Sequence, residues 1–260
     1  MPALPADQLA LLFSTGGVRL ALRLSQVREI VEVGPGDGDV RTRGEVVPSA
    51  YLSSVLGLPA GGARYALVTE ATPRCALRVD ALHGLADLAG AEAFNLPAHT
   101  LLPQPSPFAG ALVVGGRVAL ELAVAALGFA PIEPAVELAG EPPSLGPWLE
   151  RELRFSRGDL TFGVPLSLLG QVIESAELAL VPLTPPSHRG LLYHGRALHP
   201  VVDLGVLYGL PPTVHPRHLL LVDAGGAGVA VAADRILGVG MGATADDVLR
   251  PPWDALFGAG

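Results

Sequence analysis

The sequence contains no lysine; all 17 of its basic residues are arginine. That absence removes lysine-dependent chemistry, from Schiff-base formation to the lysine of a phosphate-binding loop. Cysteine is almost as scarce. Cys75 alone cannot close an intramolecular disulfide or build a multi-cysteine zinc site, which points to a reducing compartment. Positive charge is in deficit, with 17 basic against 25 acidic residues and a net charge of −8. Such a chain is a poor ligand for nucleic acid and for anionic membranes. No apolar run reaches the roughly 18 residues of a membrane span, and the N-terminus has no basic signal-peptide start. The expectation is a cytoplasmic protein without direct membrane insertion.

What remains is rich in turn formers and apolar residues. The 260 residues are 50% hydrophobic and include 32 glycines and 25 prolines, with a mean hydropathy of +0.45. This suffices for one large domain or two of about 120 residues. An internal repeat decides for two. Shifted by 142, Leu11, Phe13, Ser14, Gly16, Leu24, Ser25 and Glu32 meet Leu153, Phe155, Ser156, Gly158, Leu166, Ser167 and Glu174. Shifted by 152, Pro48, Leu52, Gly57, Leu58 and Pro59 meet Pro200, Leu204, Gly209, Leu210 and Pro211. Shifted by 154, Leu67, Val68, Asp80 and Gly84 meet Leu221, Val222, Asp234 and Gly238. The growing offset describes one ancestral module with insertions in its second copy. The expected domains are residues 8–129 and 150–257, joined by a proline-rich linker over 130–149 that holds no continuous helix.

Within each copy, short apolar runs alternate with turn residues, as in an all-β fold. Hairpins are expected over residues 11–22 and 153–164, over 67–79 and over 219–233. Single strands are expected at 45–47 and 197–202. Short helical pieces are expected at 25–32, 52–56, 168–174 and 204–207. Copy 1 alone continues into a further hairpin and helix, through residues 108–127. Copy 2 either leaves a strand edge open for a partner or covers it with its tail, residues 246–257.

Five of the seven histidines fall at His188, His194, His199, His215 and His218, which invites a metal site with Asp203. Helical ligand spacing is missing, so no metal or other cofactor is expected. Asp203 and Asp234 each end a strand, where aspartate accepts turn hydrogen bonds more often than it does acid–base work. Gly225, Gly226 and Gly228 suit a hairpin turn better than a phosphate loop.

The second copy resembles CheW-like domains, the modules of the chemotaxis coupling protein and of the regulatory end of its histidine kinase. The residues that carry the resemblance are Leu153 to Gly158, Val181 to Pro185, Gly190, Pro200 to Leu204, and Ala227 to Val239. The first copy is similar more faintly over residues 8–128. The resemblance implies two intertwined five-stranded SH3-like barrels per domain and no catalysis. It also implies partner binding near an Arg-Gly pair ahead of a Pro-Val-Val-Asp-Leu strand. That maps to Arg43, Gly44 and Pro48 in copy 1, and to Gly190, Gly195, Arg196, Pro200 and Asp203 in copy 2. Each copy departs from the pattern: Tyr51 stands where Asp is expected, and Gly195-Arg196 reverses the Arg-Gly order. The function implied is a scaffold coupling chemoreceptor tips to a histidine kinase regulatory domain, clustered at receptor arrays through its partners. The alternatives are a divergent adaptor serving motility or cell polarity, and a metal-dependent hydrolase using the copy 2 histidines.

Overall fold

In the computed structural model the described residues are 5–34, 38–71, 74–128, 130–136, 151–174, 176–213, 215–224, 227–241 and 247–257. They divide into two compact units. The first contains β1 (Leu9–Thr15), β2 (Val18–Arg23), β3 (Val27–Glu32), β4 (Val40–Thr42), β5 (Glu45–Val47), β6 (Ser49–Tyr51), α1 (Leu52–Val55), β7 (Tyr65–Thr69), β8 (Ala76–Val79), β9 (Ala81–Asp87), β10 (Glu92–Phe94), β11 (Phe108–Val114) and β12 (Arg117–Leu122). The second contains β13 (Arg151–Arg157), β14 (Leu160–Pro165), β15 (Leu169–Glu174), β16 (His188–His194), β17 (Ala197–Val202), α2 (Leu204–Leu207), β18 (His218–Ala224), β19 (Ala227–Ala233), β20 (Arg235–Met241), β21 (Val248–Leu249) and α3 (Trp253–Phe257).

Both units repeat one strand plan. The first has a sheet ordered β10-β11-β12-β2-β1-β9, a second ordered β3-β7-β8-β6, and the ribbon β4-β5. The second has β20-β13-β14-β21 and β15-β18-β19-β17-β16. The fold is all-β, with three short α-helices among the described residues. Among the described residues one sheet, β15-β18-β19-β17-β16, has five strands. The first copy adds β10 and β11 to one sheet, and its chain breaks between β5 and β6 at Pro48, whose ring cannot donate to a ladder. Each element is short because apolar alternation is interrupted every few residues by glycine or proline turns.

Two sequence expectations fail in the same way. Residues 25–32 and 168–174 were expected to be helical, but β3 and β15 occupy them, with one 3-10 turn at Leu24–Gln26. Val27, Ile30 and Val31, like Val172 and Ile173, are β-branched and lose less side-chain freedom on a pleated surface. Pairing with β7 and β18 then outweighs the weak local helical pattern.

The ladders also refine the repeat. Val27 faces Thr69 in the first copy and Leu169 faces Val222 in the second. Thr69 thus matches Val222, an offset of 153 rather than the 154 that aligned Leu67 and Val68. A slip of one residue reverses the faces of a strand, so ladder partners, not residue identity, set this alignment. Asp80 and Asp234 do match at 154: their backbone N–H groups donate to the equivalent carbonyls of Ser14 and Ser156.

The core of the second unit is aromatic. Phe155 and Phe162 are paired across β13 and β14 and stack with ring centroids 5.5 Å apart. Trp253 and Phe257 of α3 join them among Leu153, Val164, Leu220 and Val222. The tail therefore covers the copy 2 sheet. β21 runs parallel to β14, with Phe162 facing Leu249, as Leu20 faces Leu120 in copy 1. Trp253 Nε1 donates to the Gly163 carbonyl at 3.2 Å. Among the described residues no further strand follows β21, and a helix packs where copy 1 adds a hairpin. Trp253→Ala should destabilise the second unit by about 3–5 kcal/mol through lost burial and an unfilled cavity. Urea unfolding followed by tryptophan-independent circular dichroism measures it, and a loss below about 1 kcal/mol would show that the tail is not part of this core.

Candidate partner-docking surfaces

The two candidate turns are built alike. Arg43 and Gly44 link β4 to β5 with φ of 45° and 83°; Gly195 and Arg196 link β16 to β17 with φ of 59° and 61°. Two successive positive φ values make the tight two-residue hairpin whose twist suits antiparallel strands. The reversed Arg-Gly order of copy 2 is thus the same turn with its arginine moved one place along. Arg43 is exposed, with 71% of its side chain in solvent, and its nearest carboxylate is Glu29 at 3.6 Å. Glu29 also accepts the Thr42 hydroxyl. Pro48, Gly195 and Arg196 are exposed as well.

The other three candidates lie inside. Gly190 sits at a bulge of β16 with φ of 125°, and a Cβ there would come within 2.5 Å of the Ala179 carbonyl oxygen. Pro200 is buried opposite Leu191. Asp203 is fully buried and is the hub of an ionic cluster. Its carboxylate accepts Arg157 Nε at 3.0 and 3.1 Å, the Gly205 N–H at 3.0 Å and the Thr213 N–H at 2.8 Å. Arg157 also donates to the Pro211 carbonyl and lies 3.5 Å from Asp234, which in turn accepts the Gly158 N–H at 2.7 Å. One carboxylate therefore caps α2, holds the loop behind it and pins β13 to β17.

Among the described residues copy 1 has no such cluster. Thr15 stands in place of Arg157 and Tyr51 in place of Asp203. Arg78 of β8 replaces the buried cation: it faces Tyr51 in the ladder, with its guanidinium carbon 5.3 Å from the centre of the Tyr51 ring. Arg78 Nε donates to Ser49 Oγ at 2.9 Å and its Nη2 to the Gly38 carbonyl. The carboxylate and its arginine changed together, as expected where removing one partner strands a buried charge. Asp203→Ala should cost about 3–5 kcal/mol. The pair Arg157→Thr with Asp203→Tyr should cost less than the sum of its single changes by about 2 kcal/mol or more. A denaturant double-mutant cycle measures this, and strict additivity would show that the pair is not coupled.

A second buried carboxylate holds the tail. Glu152 accepts Arg250 Nε at 2.9 Å, Arg250 Nη2 at 3.0 Å and Arg154 Nε at 3.0 Å. Burial pushes the Glu152 carboxyl up, but the hydrogen bonds and charges of Arg250 and Arg154 outweigh it and leave the pKa below the ordinary value.

The histidines do not converge. His194 Nε2 lies 3.1 Å from Gln171 Oε1, and His199 Nδ1 lies 3.2 Å from the Gly228 carbonyl. Among the described residues no group of three or more His, Cys, Asp or Glu side chains is placed to hold a metal. His188 is buried, its Nδ1 accepting the Gly190 N–H at 3.2 Å. Burial, aided by the charge of Arg189, lowers its pKa to about 4. The unfolded chain binds this proton near pH 6.5 and the folded one only near 4, so stability is whole above pH 6.5 and falls as pH drops through that window. The loss should approach about 3 kcal/mol by pH 4. In His188→Asn, which keeps an acceptor for Gly190, that slope should flatten; an unchanged slope in urea titrations at stepped pH would assign the loss elsewhere.

Three features escaped sequence reasoning. In the first unit a groove of about 570 Å³ lies between β10 and the end of β12, where Arg23 Nε donates to Glu121 Oε1 at 2.6 Å. The Glu152–Arg250 clamp joins residues 98 apart with no motif to mark them. Leu237, Val239 and Met241 of β20 are each about half exposed, where copy 1 has His83, Leu85 and Asp87. Comparison of the two copies was the one signal available for that apolar row.

Trp148 and the Gly225-Gly226 turn lie outside the described residues. No helix among the described residues is long and apolar enough to cross a membrane.

A sequence model of the CheW-like domain matches residues 9–128 and again 152–241. No curated protein matches the chain. Among solved structures, the scaffolding protein TtCheW from Thermoanaerobacter tengcongensis is similar at 17% identity and a TM-score of 0.36, over 45% of this chain and 88% of that one.

Proposed function

Because the chain belongs to the CheW-like domain family, with the domain present twice, we propose that it is a non-enzymatic scaffold coupling chemoreceptors to a CheA-type histidine kinase in bacterial chemosensory signalling. The observation that carries this reading is the outward Arg/Gly turn retained at the equivalent hairpin of both domains. Each turn presents one arginine on a rigid two-residue loop, and a guanidinium held there suits a partner carboxylate. Pro48 flanks the first turn. Gly190, Pro200 and Asp203 act from within, keeping β16 and β17 in the register that displays the second. With two turns in one chain, the scaffold holds two partners at once, and the linker over 130–149 sets their effective concentration.

A divergent adaptor for another machine, such as motility or cell polarity, is the second reading. What favours it is the replacement of the Asp203-type hub in copy 1 by Tyr51 and Arg78, which alters the end of β6 three residues beyond Pro48.

Arg43→Glu should weaken binding to a receptor tip or a kinase regulatory domain by about 1–3 kcal/mol, because attraction becomes repulsion. Folding should be unaffected, since an exposed ion pair of this kind contributes little. Calorimetry against receptors and kinases encoded nearby reads both quantities. If none of them binds the unaltered protein at tens of micromolar, chemosensory coupling fails and the divergent adaptor takes its place.

A further inference from the structure

β9 and β20 are the last strands of their sheets, and among the described residues neither has a neighbour on its outer side. An unpaired edge exposes a row of backbone donors and acceptors, and soluble proteins usually guard it with charge or proline. β20 is weakly guarded. It runs seven residues without proline, its one charge is Arg235 at the start, and Leu237, Val239 and Met241 are about half exposed. β9 carries the exposed Leu85 beside His83 and Asp87.

We propose that further copies of this chain occupy these edges, with β9 of one copy pairing antiparallel to β20 of another. The two strands are equivalent in the repeat and share one backbone form. Each has a bulge beside a glycine of positive φ, Gly84 at 108° and Gly238 at 117°. In the register that sets Gly84 opposite Gly238, Leu85 faces Leu237 and Asp87 faces Arg235. Alanine 81 then faces Met241, and His83 faces Val239. Opposite charges and apolar pairs directly across a ladder are the stabilising combinations. Arg235 and Asp87 are both exposed, and among the described residues no ion pair involves either.

Pairing of like edges is poorer. Two β20 strands centred on Gly238 put Arg235 against Met241, and two β9 strands centred on Gly84 put Asp87 against Ala81. Only the unlike pair satisfies both charges. The contact is heterologous, so each copy offers one edge and accepts the other, and the assembly is a closed pair, a ring or an open chain according to geometry.

Sedimentation velocity from about 5 to 200 μM tests this on the full chain. The unaltered protein should self-associate as concentration rises. Arg235→Asp alone sets Asp against Asp at every contact, and Asp87→Arg alone sets Arg against Arg; each should weaken association roughly tenfold. An equimolar mixture of the two variants restores an opposite pair at every contact, so it should associate like the unaltered chain. Both positions are exposed, and recovery on mixing itself requires folded chains. A protein that stays monomeric throughout, variants that associate unchanged, or a mixture that fails to recover would each overturn the proposal.

Discussion

A carboxylate sealed from solvent organises the second domain. Asp203 cannot reach water, so its charge must be met by the chain itself, and three donors from three separate stretches converge on it. The convergence fixes more than the charge. It starts α2, sets the path of the loop through Pro211 and Thr213, and ties the first strand of one sheet to a strand of the other. Gly205 belongs to the same constraint, since a Cβ there would lie 2.6 Å from Arg157 Cγ. A buried ion pair of this kind is weak evidence for net stability, but breaking it is costly, because losing either partner leaves the other charge stranded.

The first domain meets the same demand with different chemistry. Its buried cation enters from β8 rather than β13, and an aromatic face replaces the carboxylate. The ring remains partly exposed, whereas Asp203 is sealed. The copies thus share one strand plan and differ in the chemistry displayed at this site.

The ends of the repeat differ for a related reason. Copy 1 continues its sheet with a hairpin. Copy 2 lays down two residues of strand and closes its core with Trp253 and Phe257, held by the Glu152–Arg250 clamp. At the opposite end of that sheet β20 forms an apolar edge, while the matching edge in copy 1, β9, carries an acidic residue. Duplication followed by unequal change has given one chain two complementary edges.

The sequence by itself determined the class of fold, the duplication and the family. Composition, glycine and proline punctuation and colinear matches are local signals, and they placed most strands within a residue or two. It also pointed to the turn at Arg43-Gly44, through the family resemblance that sets an Arg-Gly pair ahead of Pro48. What only tertiary structure decided was which neighbours each residue meets. Residues 25–32 and 168–174 became strands because β7 and β18 offered ladders, and the same ladders set the match of β7 to β18 one residue from where residue identity put it. Asp203 was legible as a strand-end acceptor of turn hydrogen bonds and as a motif residue, but not its buried pairing with Arg157, 46 residues away. Charges that satisfy one another across such separations leave no pattern along the chain, since their energy depends on distance in space and on exclusion of water.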